Sequence, residues 1–567
     1  MNKEQIQNEI MNGQAALGIE FGSTRIKAVL VATDFSTIAV GSHEWENKLE
    51  NGVWTYSLED IWSGVQDAYR DMADQVNIEY GTVIRNLSSI GFAAMMHGYM
   101  AFDKGGNLLV PFRTWRNAIT GQAASQLTEL FDFNIPQRWS IAHLFQAILN
   151  QEAHVKDIDF MTTLAGYVHW QVTGEKVLGV GDASGVFPID SNTVDYDEGM
   201  LNKFNELKSV QQYHWTLRDI LPTVKSAGEE AGRLTDEGAK LLDPSGLLVG
   251  GAVAAAPEGD AGTGMVATNS VKQRTANVSA GTSAFAMIVL EKALSQAHED
   301  IDMVTTPDGS AVAMVHANNS SSEINAWARM FKQFAQAIGV ELSANDLYGA
   351  LFRSVLDARP DAGGLLSYGY HSGENITGVN EGRPLFVRTP NAEFNLPNLM
   401  RMHLYSAFGA VKIGLDILKQ EDVVMDSVVA QGGIFNTPVV GQKILAAVMD
   451  APVTLMTNAG EGGPWGMAIL SQYVTMREAG ESLADFLENR VFANQDSTTM
   501  APDPVDVAGF EEFMVRYKDG IAIEKAAIDA ISDEPVVATV EEDEIHVGEL
   551  EAARVWGEYG FAKARFD

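Results

Sequence analysis

The sequence predicts an α/β protein of two related domains, and three observations carry that prediction. A chain of 567 residues is too long for one core. Short apolar runs of strand length alternate with stretches of helical periodicity. A strand, small-residue turn, strand pattern occurs twice, at Leu17–Val31 and at Val278–Phe285.

In the first copy, Ile19, Phe21 and Ile26–Val31 suggest two short strands joined by Gly22-Ser23-Thr24. Such a turn lets backbone N–H groups converge on one point, which suits an anion such as phosphate. Glu20, just before it, offers hard oxygens for a divalent cation. An ordinary hairpin reads the same way, so the remaining chain must decide.

A net charge of −36 argues against duplex nucleic acid or an anionic membrane as partner. Phosphate would then be held by backbone amides and a metal rather than by a basic patch. With no cysteine, disulfides, thiolate zinc sites and cysteine nucleophiles are excluded. The polar stretch from Met1 to Gly13 lacks a secretory core, and Leu247–Pro257 is too short for a membrane span; a cytoplasmic protein is expected.

Along the chain, Thr33–Ser42 reads as a turn and strand, Leu58–Val76 as a helix and Ser89–Ala94 as a strand ending in Met95-Met96-His97-Gly98. Ligands gather at strand ends in α/β folds, so His97 is either a ligand contact or a structural histidine. Arg113-Thr114-Trp115-Arg116-Asn117 combines an aromatic plane with hydrogen-bonding groups, as a sugar wall or a half-buried tryptophan would. Residues 122–175 read as helical and end at Gly174. Gly181–Gly185 is turn-rich, and Leu217–Leu234 reads as connecting structure.

Asp260, in Glu258-Gly259-Asp260-Ala261-Gly262, either caps the following helix or takes a proton from an incoming hydroxyl. Gly281-Thr282-Ser283 is the turn of the second hairpin. Asn391–Leu418 has amphipathic spacing. A strand at Val423–Val429 leads into Gly432-Gly433 and Asn436, followed by a helix over Val440–Met449; a strand, double glycine and helix can accept an adenosine or make a plain turn. Glu461–Ala468 opens another helix. Phe510–Ile531 reads as helical, and Glu541–Glu544 as a solvated charge run.

Taken together, these stations resemble the FGGY carbohydrate kinases over residues 15 to 530 in unbroken order. The resemblance implies two actin-like, ribonuclease-H-like domains with a cleft between them: residues 1–268, residues 269–485 and a helical acidic extension, 486–567. It implies transfer of the γ-phosphoryl of MgATP to a sugar hydroxyl, with Asp260 as base and Glu20 toward Mg2+. Gly22, Ser23, Thr24, Gly281, Thr282 and Ser283 would cradle phosphates, and Gly432, Gly433 and Asn436 would hold the adenosine. Met96, His97, Trp115 and Asn117 most resemble the sugar segment of the xylulose kinase branch, whereas length and acidic tail are closer to ribulose kinases; the expected acceptor is a ketopentose.

Three residues depart from the family pattern: Glu20 for its aspartate, Met95 for a glutamine before Met-His, and Asn117 for an aspartate. The expected partners are a small sugar and ATP, with a homodimer as the assembly and neither nucleic acid nor membrane. Two other readings share the fold: an ATP-switched protein, and a sugar sensor with weakened turnover.

Overall fold

The computed structural model describes residues 1–456 and 462–532. They divide into two units that interleave along the chain. The first holds 1–273, 289–313 and 462–495; the second holds 274–288, 314–456 and 496–532. A linear division at 268 and 485 differs from this, because the helix Gly463–Met476 joins the first unit and the helix Pro504–Ala530 joins the second.

The first unit is built on a seven-stranded sheet. Its strands are β1 (Ala16–Phe21), β2 (Arg25–Val31), β3 (Thr37–Glu44), β4 (Ser89–Ala94), β5 (Glu230–Arg233), β6 (Val253–Ala255) and β7 (Glu258–Gly259). They run in the order β5-β6-β4-β1-β2-β3, with β7 also paired to β4. β1, β2 and β3 are antiparallel neighbours, whereas β4 runs parallel to β1, β6 and β7.

Register fixes what meets at the end of this sheet. Phe21 and Gly259 both pair with Ala94, so three parallel strands stop at one level. Ligands collect at such an edge.

Close packing on the sheet explains two glycines. A Cβ on Gly18 would lie 2.0 Å from the Pro464 carbonyl oxygen, and one on Gly91 would lie 2.4 Å from Met467 Cε. The bare backbone of β1 and β4 thus lets the helix Gly463–Met476 lie flush on the sheet. Trp465 Nε1 donates to Phe35 O at 3.0 Å and Gln472 Nε2 to Ala32 O at 2.8 Å, which fixes the helix along its length. On the other side, the helix Leu58–Tyr80 packs against β2 and β3; it begins at the Ser57 cap and ends on Gly81 in the left-handed region.

The second unit repeats the order of the four strands that carry the hairpin and exchanges the last two. Its strands are β8 (Thr275–Ala280), β9 (Ala284–Val289), β10 (Ala311–Ala317), β11 (Ser427–Gln431), β12 (Val453–Met456) and β13 (Ser497–Met500), and they run β10-β9-β8-β11-β12-β13. β8 and β9 form the second antiparallel hairpin, and β11 runs parallel to β8 with Ser279 opposite Gln431. Each unit therefore places its hairpin next to a parallel strand, the repetition that the two turns predict.

Several expected elements shift. The span 122–175 is broken into helices Gly121–Phe131, Ser140–Leu149 and Leu164–Thr173 with a strand at Phe160–Thr162, since Pro136 interrupts the pattern. The strand expected at Val423–Val429 starts at Ser427, after the turn at Asp422. The turn-rich 181–185 segment contains a short buried helix, Val180–Ala183. Glu461 and Glu541–Glu544 lie outside the described residues.

Gly18→Ala should destabilise the first unit by about 2 kcal/mol or more, because the added methyl meets backbone that cannot yield. Gly264→Ala, whose Cβ would meet nothing within 4 Å, should be neutral or stabilising by up to about 1 kcal/mol. Urea unfolding of both variants checks the contrast; equal losses would contradict this packing.

Candidate active site

The end of the first sheet gathers the residues singled out from sequence. β1 delivers Glu20 and the turn Gly22–Thr24, β4 delivers Met95–His97, and β7 delivers Asp260 as the first residue of the helix Asp260–Ala267. Asp260 Oδ1 accepts from the Met96 amide at 3.3 Å and from the Ala261 amide at 2.9 Å. Its side chain is therefore not a conventional cap; Gly259 holds the cap position. Asp260 reaches solvent, yet the protein crowded around it weakens its hydration and pushes its pKa up to about 6.

Glu20 stands opposite Lys27 across the hairpin. A Cβ on Gly463 would lie 2.0 Å from Glu20 Oε1, so the carboxylate rests against the first residue of the helix Gly463–Met476. Burial raises its pKa to about 8, Asp260 adds to the rise and Lys27 opposes it. Both carboxylates offer hard oxygens, and a divalent cation bound through one or two carboxylates plus substrate phosphates would favour their charged forms. Among the described residues no group of three or more potential ligands could hold a metal by protein alone.

Two further carboxylates lie behind Asp260, and sequence reasoning did not single them out. Glu258 is buried and accepts from the Asp182 amide at 3.0 Å and the Gly181 amide at 3.4 Å. Side chains at Gly179 and Gly181 would come within 2.1 and 2.3 Å of its oxygens, so these glycines make its chamber. Asp182 accepts from Thr163 Oγ1 at 2.6 Å, while its Oδ1 is buried without a partner.

Burial raises the Glu258 pKa to about 8, with Asp182 adding to the rise. It raises that of Asp182 to about 7, where Asp260 adds to the rise against the Thr163 hydrogen bond. A charged residue inside the apolar run from Ala252 to Gly259 was the available signal for Glu258.

The phosphate-type turn is tied from behind. Trp45 Nε1 donates to Gly22 O at 2.7 Å, the Tyr56 hydroxyl to Ser23 O at 2.6 Å and the Trp45 amide to Thr24 O at 3.1 Å. The Trp45 and Tyr56 rings stack with centroids 4.0 Å apart. All three turn carbonyls are thus engaged by this aromatic pair.

His97 is buried with φ +69° and is followed by Gly98 at +87°. Its Nδ1 lies 3.1 Å from Gly185 O; a carbonyl only accepts, so Nδ1 carries the proton and Nε2 is the acceptor. Burial, with the Arg138 charge adding, lowers its pKa to about 3 and keeps it neutral. A Cβ on Gly185 would sit 2.6 Å from that nitrogen, which explains the glycine. The ring stacked on His97 is Trp139, at 6.1 Å and 19°.

Trp115 is 39% exposed. Asn117 differs from the expected ligand contact: Nδ2 donates to Trp54 O at 2.8 Å and Thr114 O at 3.0 Å, and Oδ1 accepts from the Trp54 amide at 2.8 Å. Both its protons are committed to backbone, so it clamps the Thr114–Asn117 segment to Trp54. Arg116 stacks on Trp54 at 3.8 Å.

In the second unit the turn Gly281–Ser283 and the segment Gly432–Asn436 share one sheet end, because β8 and β11 are parallel and in register. Gly432, at φ +115°, would place a Cβ 2.2 Å from Ala280 O. Gly433 to Asn436 form a 3-10 turn, in which Asn436 is exposed.

With two hairpin sheets that share the order of four strands and an aspartate at a shared strand end, the class is that of two-domain α/β sugar kinases. The chain belongs to the FGGY family of carbohydrate kinases: the family's N-terminal domain matches residues 15–256 and its C-terminal domain residues 276–474. Both units accordingly have the actin-like, ribonuclease-H-like fold of that family.

Among solved structures, the chain is similar to xylulose kinase from Rhodospirillum rubrum at 17% identity, with a TM-score of 0.72 over 90% of this chain and 99% of that one. It is similar to gluconate kinase from Lactobacillus acidophilus at 15% identity and TM-score 0.72, over 91% and 98% of the two chains. Plasmodium falciparum glycerol kinase with ADP gives 14% identity and TM-score 0.71, over 91% and 98%. A sequence comparison with curated proteins finds no match. Among the described residues no helix is long and apolar enough to cross a membrane.

The raised carboxylates bind protons in the folded state that the unfolded chain releases, so stability falls as pH rises from about 4 to about 8. Asp182→Asn should flatten part of that slope, most visibly between pH 5 and 7, in melting temperature followed against pH. A slope unchanged from the wild type would remove Asp182 from the coupled cluster.

Proposed function

We propose that this sugar kinase transfers the γ-phosphoryl of MgATP to a hydroxyl of a ketopentose such as xylulose or ribulose. The observation that carries the reading is the convergence of Asp260, the Met96 amide and the Gly22–Thr24 turn at one level of three parallel strand ends.

Asp260 accepts the proton of the attacking hydroxyl, oriented by the amides of Met96 and Ala261. A base poised near pKa 6 is deprotonated at neutral pH and still holds a proton well enough to remove it from an alcohol as the bond forms. Gly22 and Gly281 close their turns by donating to Arg25 O at 3.0 Å and Ser283 O at 2.9 Å, so that the amides and hydroxyls of Ser23 and Thr24, and those of Thr282 and Ser283, receive phosphate oxygens; their rigidity supplies the positioning on which phosphoryl transfer depends.

Gly432 and Gly433 present bare backbone to the adenosine, with Asn436 at its edge. Glu20 would hold Mg2+ together with the phosphates. When bound, that ion neutralises charge on the transferring group. His97 accepts a sugar hydroxyl through Nε2, Met96 and Trp115 line the sugar's apolar faces, and Asn117 holds the wall in place.

Release of ADP measured against a panel of pentuloses, hexuloses, aldonates and polyols tests the substrate. A ketopentose should give the highest kcat/KM, and turnover indifferent to every acceptor would contradict the proposal. Asp260→Asn should lower kcat by about 100-fold or more with MgATP affinity unchanged. In the wild type kcat/KM should fall on the acid side with an apparent pKa near 6; a limb near the ordinary aspartate value would take the base role from Asp260.

A further inference from the structure

In the second unit the turn Gly281–Ser283 is tied from behind by chain rather than by aromatic rings. The Ser320 amide donates to Thr282 O at 2.7 Å and the Ser321 amide to Gly281 O at 3.0 Å. What holds Ser320 and Ser321 is a buried latch.

Glu374 is fully buried. One of its oxygens accepts from the Asn318 amide at 3.2 Å; the other accepts from the Asn319 amide at 3.1 Å and from Asn319 Nδ2 at 3.2 Å. Asn319 Oδ1 in turn accepts from the amides of His371 and Ser372 at 2.9 and 3.0 Å, and from the Ser372 hydroxyl at 3.2 Å. Asn318 Nδ2 donates to Gly373 O at 2.8 Å. The two loops 318–321 and 371–374 are thus stitched by one carboxylate and two amides.

Burial raises the Glu374 pKa, and the three N–H donors of Asn318 and Asn319 oppose that rise. A carboxylate so deeply placed needs all of those donors.

We propose that Glu374 and Asn319 are positioning residues for nucleotide phosphate: through the loop 318–321 they fix the carbonyls of Gly281 and Thr282, so that the N–H groups of Thr282 and Ser283, on the same peptides, stay presented to the ligand. This rests on the reading of Gly281–Ser283 as a phosphate turn. An isosteric amide at 374 cannot serve, because its NH2 meets N–H groups and an amide proton loses its acceptor. The turn carbonyls then lose their fixed donors, and phosphate binding weakens while the adenosine surface at Gly432–Asn436 is untouched.

Calorimetric titration with MgATP and with adenosine tests this on the full chain. Glu374→Gln and Asn319→Ala should each raise the Kd for MgATP by about tenfold and leave that for adenosine unchanged. Arg401→Met, which breaks a buried ion pair with Asp506 elsewhere in the same unit, should lower the melting temperature without changing either Kd. If Glu374→Gln costs folded protein, Ser372→Ala removes one hydroxyl from the hub and should show the same selective loss at about threefold.

Unchanged MgATP affinity in these variants, or equal losses for adenosine and for Arg401→Met, overturns the latch. Wild-type protein that binds adenosine and MgATP equally overturns the phosphate-turn reading itself, and the latch with it.

Discussion

The site depends on the register of three parallel strands. Because Phe21 and Gly259 both face Ala94, the hairpin turn, the Met96 amide and Asp260 leave the sheet at one level. Side chains alternate along a strand, so a slip of one residue would turn Glu20 into the opposite face and lift Asp260 away from Met96. Register in turn rests on close approach: Gly18 and Gly91 let the helix Gly463–Met476 bury the strands in one alignment, and that same helix brings its first residue against Glu20.

A second constraint works on the turns. Peptide groups have two ends, and a turn offers its N–H groups outward reliably only when its carbonyls are engaged. The first unit does this with Trp45 and Tyr56, the second with the amides of Ser320 and Ser321. Two halves with the same hairpin arrangement thus reach one electrostatic result by different chemistry. Carboxylates are concentrated behind the first turn, where Glu20, Asp182, Glu258 and Asp260 raise one another's proton affinity or are raised by burial; the raised pKa of Asp260 follows from crowding rather than from a dedicated partner.

Much of this was legible in sequence because it is local. Ser89–Ala94 and Val440–Met449 form the expected elements, and both hairpins appear where small residues interrupt apolar runs. Asp260 was visible because glycine on either side of a carboxylate is a local pattern. Long-range roles were not legible. The amide of Asn117 is spent on Trp54, 63 positions away, and Glu258 acquires meaning only when Gly181 and Asp182 fold onto it. Trp139, which the sequence reading did not single out, stacks on His97, since helix placement decides which ring arrives. The 122–175 span likewise read as helical throughout because its periodicity survives the breaks.

The strand-end constellation is proposed to move a phosphoryl group onto a sugar rather than onto water. Phosphorus NMR of the protein turning over MgATP with xylulose or ribulose measures this directly. A new phosphate monoester resonance should grow in step with ADP and carry coupling to sugar protons. Orthophosphate alone, formed at the same rate with or without sugar, would contradict it.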